Sequence, residues 1–434
     1  MLKPTSIPPI TRKRDFWVLV GYAAVLGVFG AFAALVYLGV VKFGNGWATG
    51  FRPGWFGGHW WWVGVTVAAG VVVGLLRRLT RLPEEVPGLF DDLQAEHFDA
   101  GLVPGTMAVS AVSLIGGASV GPEKVLASMG AGVGSLLGRR RGLGEEDLQV
   151  NTLAGIAGIF GGLFSSPLIV VMLILEVARP GGQRFSKTLI TDIVAGSISF
   201  GIYFAIAGAV FLGAYRVPQY SFQDWQLLAG IPLGVFGALV AGLTAGFMLV
   251  ASRLFGRLKV PAVAKSALGG MMFGVVGVAL PLTMFSGGSQ LSSVLNGAGT
   301  LGLGLCFAIL IAKMLTYAVS QASGFVGGPI FPTLFIGGTA GVIVHQAIPG
   351  VPLGLAFSCL LPAILGSLAA APFAMVLMAA FLTRVGVLQT APILIAVVTA
   401  FLGVQGMGYL LASRQQRRPT AALARWSLRS RMRQ

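Results

Sequence analysis

The chain has 434 residues, 55% of them hydrophobic and only 10% charged, with a mean hydropathy of +0.85. A soluble domain carries about 25% charged residues, so these values exclude an ordinary soluble fold and indicate an all-α membrane protein with many spans. The formal charge of +16 is spread over short basic clusters between apolar stretches, as the positive-inside rule expects, so no nucleic-acid partner is implied.

Met1–Arg14 reads as a cytoplasmic tail carrying Arg12, Lys13 and Arg14, followed by a span over Phe16–Val41 with no small-residue cleavage site; no removable signal peptide is expected. Trp47, Trp55 and Trp60–Trp62 form an interfacial aromatic group, and a second span, Trp61–Leu76, returns to Arg77, Arg78 and Arg81. Both basic ends mark one side as cytoplasmic. Leu82–Gln94 is too short and too acidic to cross, with Glu84, Glu85, Asp91 and Asp92. Gly101–Ile115 and Lys124–Leu137 are apolar but shorter than the ~20 residues of a full span. Asn151–Phe164, a run from Ser165-Ser166-Pro167 to Glu176, and a span over Thr188–Leu212 complete the first half.

After a linker near Tyr215–Gln226 the design repeats. Trp225–Leu254 and Ala267–Leu282 are spans, Ser286–Asn296 is short and Ser/Gly-rich, and Leu301–Val319 leads into Gly324–Pro332 and an apolar run to His345. Leu365–Leu382 contains Ala370-Ala371-Pro372, and the last span, Thr390–Leu411, ends at Arg414, Arg417 and Arg418. A Gly-rich break, a short helix and a small-small-Pro helix start therefore occur once in each half. Matching interrupted segments are the mark of repeats whose broken helices meet near the membrane midplane. The expected divisions are a tail (1–14), two inverted repeats (15–213 and 226–413) joined by a linker (214–225), and a basic cytoplasmic tail (414–434).

The first break, Gly116-Gly117-Ala118-Ser119-Val120-Gly121-Pro122-Glu123-Lys124, carries the chemistry. A helix start concentrates unpaired N–H groups and positive dipole, and so attracts anions. Glu123 can occupy that anion site itself, and an acid inside an apolar break is functional by default. The plain alternative is a first-turn acid that satisfies the dipole. Cys306 and Cys359 lie in apolar stretches, and His59, His97 and His345 are scattered, so neither disulfides nor a metal site is expected. No Walker-type or dinucleotide fingerprint is present; no cofactor and no enzyme activity are expected.

Gly116-Gly117…Gly121-Pro122-Glu123, Phe164-Ser165-Ser166-Pro167-Leu168…Glu176, Gly324…Pro329-Ile330-Phe331-Pro332 and Tyr409 together resemble, in order, the motifs of the CLC chloride channels and chloride/proton antiporters. The resemblance covers roughly Phe16–Arg418. It implies transport of chloride or a similar small anion, a homodimer with one pore per subunit, and a multi-pass plasma-membrane protein with both termini cytoplasmic. The chain stops soon after the last helix, so no cytoplasmic nucleotide-binding domains are expected. The family's gating glutamate falls on Glu123, flanked by Pro122 and Lys124 in place of Arg and Gly. Pro122 lacks an N–H, so the amides of Glu123 and Lys124 would carry the outer anion site, with Ile330 and Phe331 donating from the other break.

The family's first anion motif falls on Pro83-Glu84-Glu85-Val86-Pro87, where Glu84 stands at the pore serine; Glu84 and Glu85 are either a solvated turn or acids of an inner vestibule. The antiporters' internal proton glutamate falls on Val177, beside Glu176, which either pairs with Arg179 or passes protons with Glu123. Val177 resembles the family's channels, while Glu123 keeps exchange open. Lys313 is expected to snorkel or pair, Tyr409 to be a pore hydroxyl or an interfacial belt residue, and the Gly130–Gly134 and Gly337–Gly341 runs to pack helices. The alternatives are a transporter of fluoride or another anion, or a non-conducting protein of the same fold.

Overall fold

The computed structural model describes residues 14–50, 59–83, 86–95 and 98–431, with side chains described to residue 410. The tail 1–13 with Arg12 and Lys13, Trp55, Glu84, Glu85 and His97 lie outside the described residues. The first half contains α1 (Arg14–Gly50), α2 (Trp61–Leu79), α3 (Leu89–Ala95), α4 (Val103–Ile115), α5 (Glu123–Arg140), α6 (Glu145–Leu163), α7 (Pro167–Ala178) and α8 (Gly182–Ala207). The second contains α9 (Trp225–Arg257), α10 (Ala262–Ala279), α11 (Gly288–Asn296), α12 (Leu303–Ala322), α13 (Ile330–Ala347), α14 (Leu353–Leu368), α15 (Pro372–Thr383) and α16 (Thr390–Arg431). Among the described residues, eight helices are long and apolar enough to cross a membrane. The fold is an all-α polytopic membrane fold.

The second set of eight repeats the first in order: α2 and α10 have 19 and 18 residues, α5 and α13 have 18 each, and α7 and α15 have 12 each. Packing follows the same scheme, with α5 against α6 and α13 against α14, and α6 against α8 and α14 against α16. The glycine runs do pack helices. A Cβ on Gly130 would meet the Gly155 carbonyl oxygen at 2.3 Å, and one on Gly337 would meet that of Leu360 at 2.4 Å.

Several expected boundaries differ. α1 continues to Gly50, so Trp47 lies on a helix, and Trp62 is buried against Phe285 (centroids 5.7 Å apart) instead of standing at an interface. α8 stops at Ala207. Leu365–Leu382 is two helices, because Ala370 takes a left-handed φ of 53° that breaks the run between α14 and α15.

The two small-small-Pro starts are capped differently. At α7, Ser166 Oγ accepts the Ile169 N–H, and Pro167 occupies the first turn, where a missing N–H costs nothing. At α15 the matching residue is Ala371, which has no side-chain acceptor. Glu176, from α7, supplies one: its Oε1 accepts from Phe373 N (2.9 Å) and its Oε2 from Ala374 N (2.6 Å). This corrects the expected ion pair of Glu176 with Arg179. Arg179 Nε donates to the Glu176 backbone carbonyl (3.1 Å) and not to the carboxylate, and a carboxylate held at both oxygens by a helix N-terminus is a cap. Glu176→Ala should therefore lower stability by about 1–2 kcal/mol, read as an earlier thermal unfolding midpoint in detergent, with Glu176→Gln falling between. An unchanged midpoint would show that the cap carries no load.

Candidate functional site

The two Gly-rich breaks meet and exchange hydrogen bonds in pairs. Gly121 N donates to Gly328 O (2.8 Å) and Gly328 N donates to Gly121 O (2.6 Å), an isolated antiparallel bridge. Around it, Ser119 N donates to Ser320 Oγ and Val326 N to Ser113 Oγ, each at 3.1 Å. Ser113 stands in the first break where Ser320 stands in the second, and Ser119 where Val326 stands, so the two bonds are one bond seen from either half. The turns match too, with Gly117 at φ 82° and Gly324 at φ 95°, a left-handed backbone that glycine adopts without strain. The junction has a local two-fold at Gly121–Gly328.

Side chains differ between the halves at several positions, and at the helix starts the difference is one of charge. Past the bridge the first half has Glu123 and the second Ile330, each the first residue of its helix. Glu123 is fully buried, and its Oε1 accepts the Phe331 N–H of the other half at 2.8 Å. The amides of Ile330 and of Glu123 itself also face the carboxylate. Oε2 is buried without a hydrogen-bond partner. It lies against the bridge: a Cβ on Gly121 would meet it at 2.0 Å and one on Gly328 at 2.1 Å. Both glycines are required by this close approach, because any side chain would occupy the carboxylate's place. The carboxylate thus sits where a small anion would find the N-terminal amides of α13, with one buried oxygen that no protein group bonds.

Of the expected anion residues, Pro122, Glu123, Ile330 and Phe331 are brought together at this junction. Pro122 precedes α5 and gives no donor. Lys124 is buried, and its ammonium is paired with Asp92 of α3, so its charge is already matched. Val86 lines a cavity of about 510 Å³ that also reaches Lys124, Gly327 and Pro329, under the junction, and is rimmed by Arg77 and Lys265. Arg77 fixes that rim, donating to the carbonyls of Gly324 and Pro83. Of the two expectations for Tyr409, its 75% exposure near the end of the described side chains of α16 fits the interfacial belt residue. Lys313 neither snorkels nor pairs with an acid. It is fully buried, donates to the carbonyls of Thr283 (3.1 Å) and Phe285 (2.8 Å), and lies over the Phe335 ring at 5.0 Å.

Sequence reasoning missed Ser113, Ser320, Tyr317 and the Asp92 partner of Lys124. The serines were legible, since aligning the two Gly-Pro pairs also aligns them. Asp92 was not, because nothing local ties it to a lysine across a loop and two helices. Among the described residues, no cluster of His, Cys, Asp or Glu could hold a metal ion.

Two half-broken helix sets meeting N-terminus to carboxylate inside a membrane fold define an anion-transporting membrane protein. Residues 69–405 match the family described as "Voltage gated chloride channel", and the chain belongs to that family. A Salmonella choleraesuis protein named "Putative ion-transport protein YfeO" is 29% identical over 314 residues, covering 70% of this chain and 73% of its own. The fold is that of a slow cyanobacterial Cl−/H+ antiporter (TM-score 0.79, 17% identity, 92% of this chain and 97% of that one). It is also that of a CLC-type fluoride/proton antiporter (TM-score 0.74, 20% identity, 89% and 94%).

Gly328→Ala tests the cradle. The added methyl falls on Glu123 Oε2 and must push the carboxylate off the Phe331 amide. With Glu123 as the gate proposed below, anion flux into liposomes at neutral pH should rise towards its acidic value, with the pH dependence flattened several-fold. Wild-type pH dependence in a folded Gly328→Ala protein would show that the close approach does not hold the carboxylate.

Proposed function

We propose that this protein moves chloride or a similar small anion across the plasma membrane and that Glu123 is its gate. The observation that carries the reading is the Glu123 carboxylate, buried and seated on the Phe331 amide. Ionised, the carboxylate occupies the donor that a passing anion needs. Protonated, it is a poorer acceptor, and an anion displaces it to take the amide. Ile330 and Phe331 supply the donors from the second half, and Pro122 limits those from the first.

The halves 15–213 and 226–413 act as the two inverted repeats, and the basic ends carrying Arg77 and Lys265 face the cytoplasm, as do both termini. The molecule works as a homodimer with one pore in each subunit. The inner cavity is then the cytoplasmic vestibule, and Val86 belongs to its wall. Val177, buried and apolar, offers no proton relay at the inner position, and Glu176 is committed to α15. These two residues favour passive flux over tight exchange with protons.

Purified protein in liposomes tests this. Chloride, nitrate and fluoride efflux are measured with and without a pH gradient, for the wild type and for Glu123→Gln. The wild type should conduct at least one of these anions and conduct it faster at acidic pH, while Glu123→Gln should conduct at every pH with the pH dependence gone. Proton movement driven uphill by chloride would show exchange in place of passive flux. Unchanged pH-dependent flux in Glu123→Gln would remove Glu123 as the gate, and no flux of any anion would overturn the function.

A further inference from the structure

We infer that Tyr317, on α12, supplies the hydroxyl donor for the anion on the inner side of Glu123, a role that sequence resemblance gave to Tyr409. The inference rests on the gated-pore reading above and names the specificity-determining residue of that same path. Tyr317 is 3% exposed, and the surface it keeps faces the 510 Å³ inner cavity, together with Gln321, Lys124, Gly327 and Pro329. The cavity reaches Gly327 and Pro329, which flank the bridge glycine that the Glu123 carboxylate lies against. An anion leaving the Phe331 amide inward therefore passes the Tyr317 ring.

Gln321, one turn along α12 from Tyr317, lines the same cavity, and its side-chain amide donates to the carbonyl of Gly327 at 3.2 Å. Gly327 precedes the bridge glycine Gly328, so the cavity wall beside Tyr317 is tied to the loop that carries the bridge. A phenol carries one O–H donor, and Tyr317 lines the cavity with the little surface it keeps.

The chemistry of the surroundings makes this donor necessary. The position of the expected pore serine is Glu84, an acid with no proton to donate when ionised, and Tyr409 is exposed. Lys124 reaches the cavity with its charge already balanced by Asp92. A bare ammonium there would hold an anion tightly, and conduction needs a site that an anion can leave. A neutral O–H beside a balanced ion pair binds with intermediate strength.

The test is Tyr317→Phe in the full-length protein, which removes one oxygen and leaves the ring. A hydrogen bond to a charged partner lost in this way should raise the chloride concentration for half-maximal flux roughly ten-fold. Chloride binding by titration calorimetry should weaken by about the same factor. The pH dependence set by Glu123 and the unfolding midpoint without chloride should stay as in the wild type. A Tyr409→Phe protein should match the wild type in all of these. Wild-type chloride affinity in Tyr317→Phe, with Glu123-dependent flux intact, would overturn the role of Tyr317 and leave the gate standing. A Tyr317→Phe protein that loses its pH dependence or its folded midpoint, with chloride binding unchanged, would make Tyr317 a packing residue. If the wild type neither binds nor moves chloride, nitrate or fluoride, both readings fall together.

Discussion

The structure depends on two hydrogen bonds between two glycines. The Gly121–Gly328 bridge is, among the described residues, a single rung of antiparallel pairing between helices, made where four helix ends meet inside the membrane. Backbone groups at that depth have no water to turn to, so irregular chain is tolerated only where protein satisfies it. Each break satisfies the other. The bridge pairs the glycines, and Ser113 and Ser320 reach across to take the amides of Val326 and Ser119. Because equivalent residues pair with one another, the junction can form only with both halves folded, and each half is incomplete alone.

The proposed gate follows from that arrangement and from the departure from its symmetry at the two helix starts. A carboxylate on one side and an isoleucine on the other let Glu123 lie across the two-fold and accept an amide from the opposite half. Two carboxylates there would repel at close range, and two isoleucines would leave the helix ends without an anion. The glycines bring the oxygen atoms against the backbone; the backbone supplies the amide; the unbonded oxygen keeps the arrangement from being permanent. A buried charge-assisted hydrogen bond is strong, and an unmatched oxygen beside it is costly. On the proposed reading, the same carboxylate is held firmly enough to close the path and loosely enough to be displaced.

Much of this was legible in the sequence because the repeat writes its signals twice. The Gly-Pro breaks, the Pro-led helices α7 and α15 and the position of Glu123 were all marked by residue types whose backbone demands are narrow. What escaped has physical reasons. α14 is buried on nearly every side and carries Pro362 in its middle, so it shows no amphipathic period and reads as connecting chain. Glu176 has Arg179 one turn away in sequence, yet its partner is a helix end on the far side of the chain, needed only because Ala371 cannot cap. Tyr409 was assigned by order along the last span, and order says nothing about which face of a helix is covered. Tyr317 sits in an apolar helix, where an aromatic residue reads as packing until the cavity beside it is seen.

The claim at the centre is that Glu123 and a transported anion compete for the Phe331 amide. Anomalous diffraction from bromide-soaked crystals, collected at neutral and acidic pH, looks at that amide directly. The account predicts the carboxylate on Phe331 N at neutral pH, and bromide density in its place at acidic pH with the side chain swung away. A carboxylate still seated on Phe331 N at acidic pH, with bromide bound elsewhere in the pore, would contradict it.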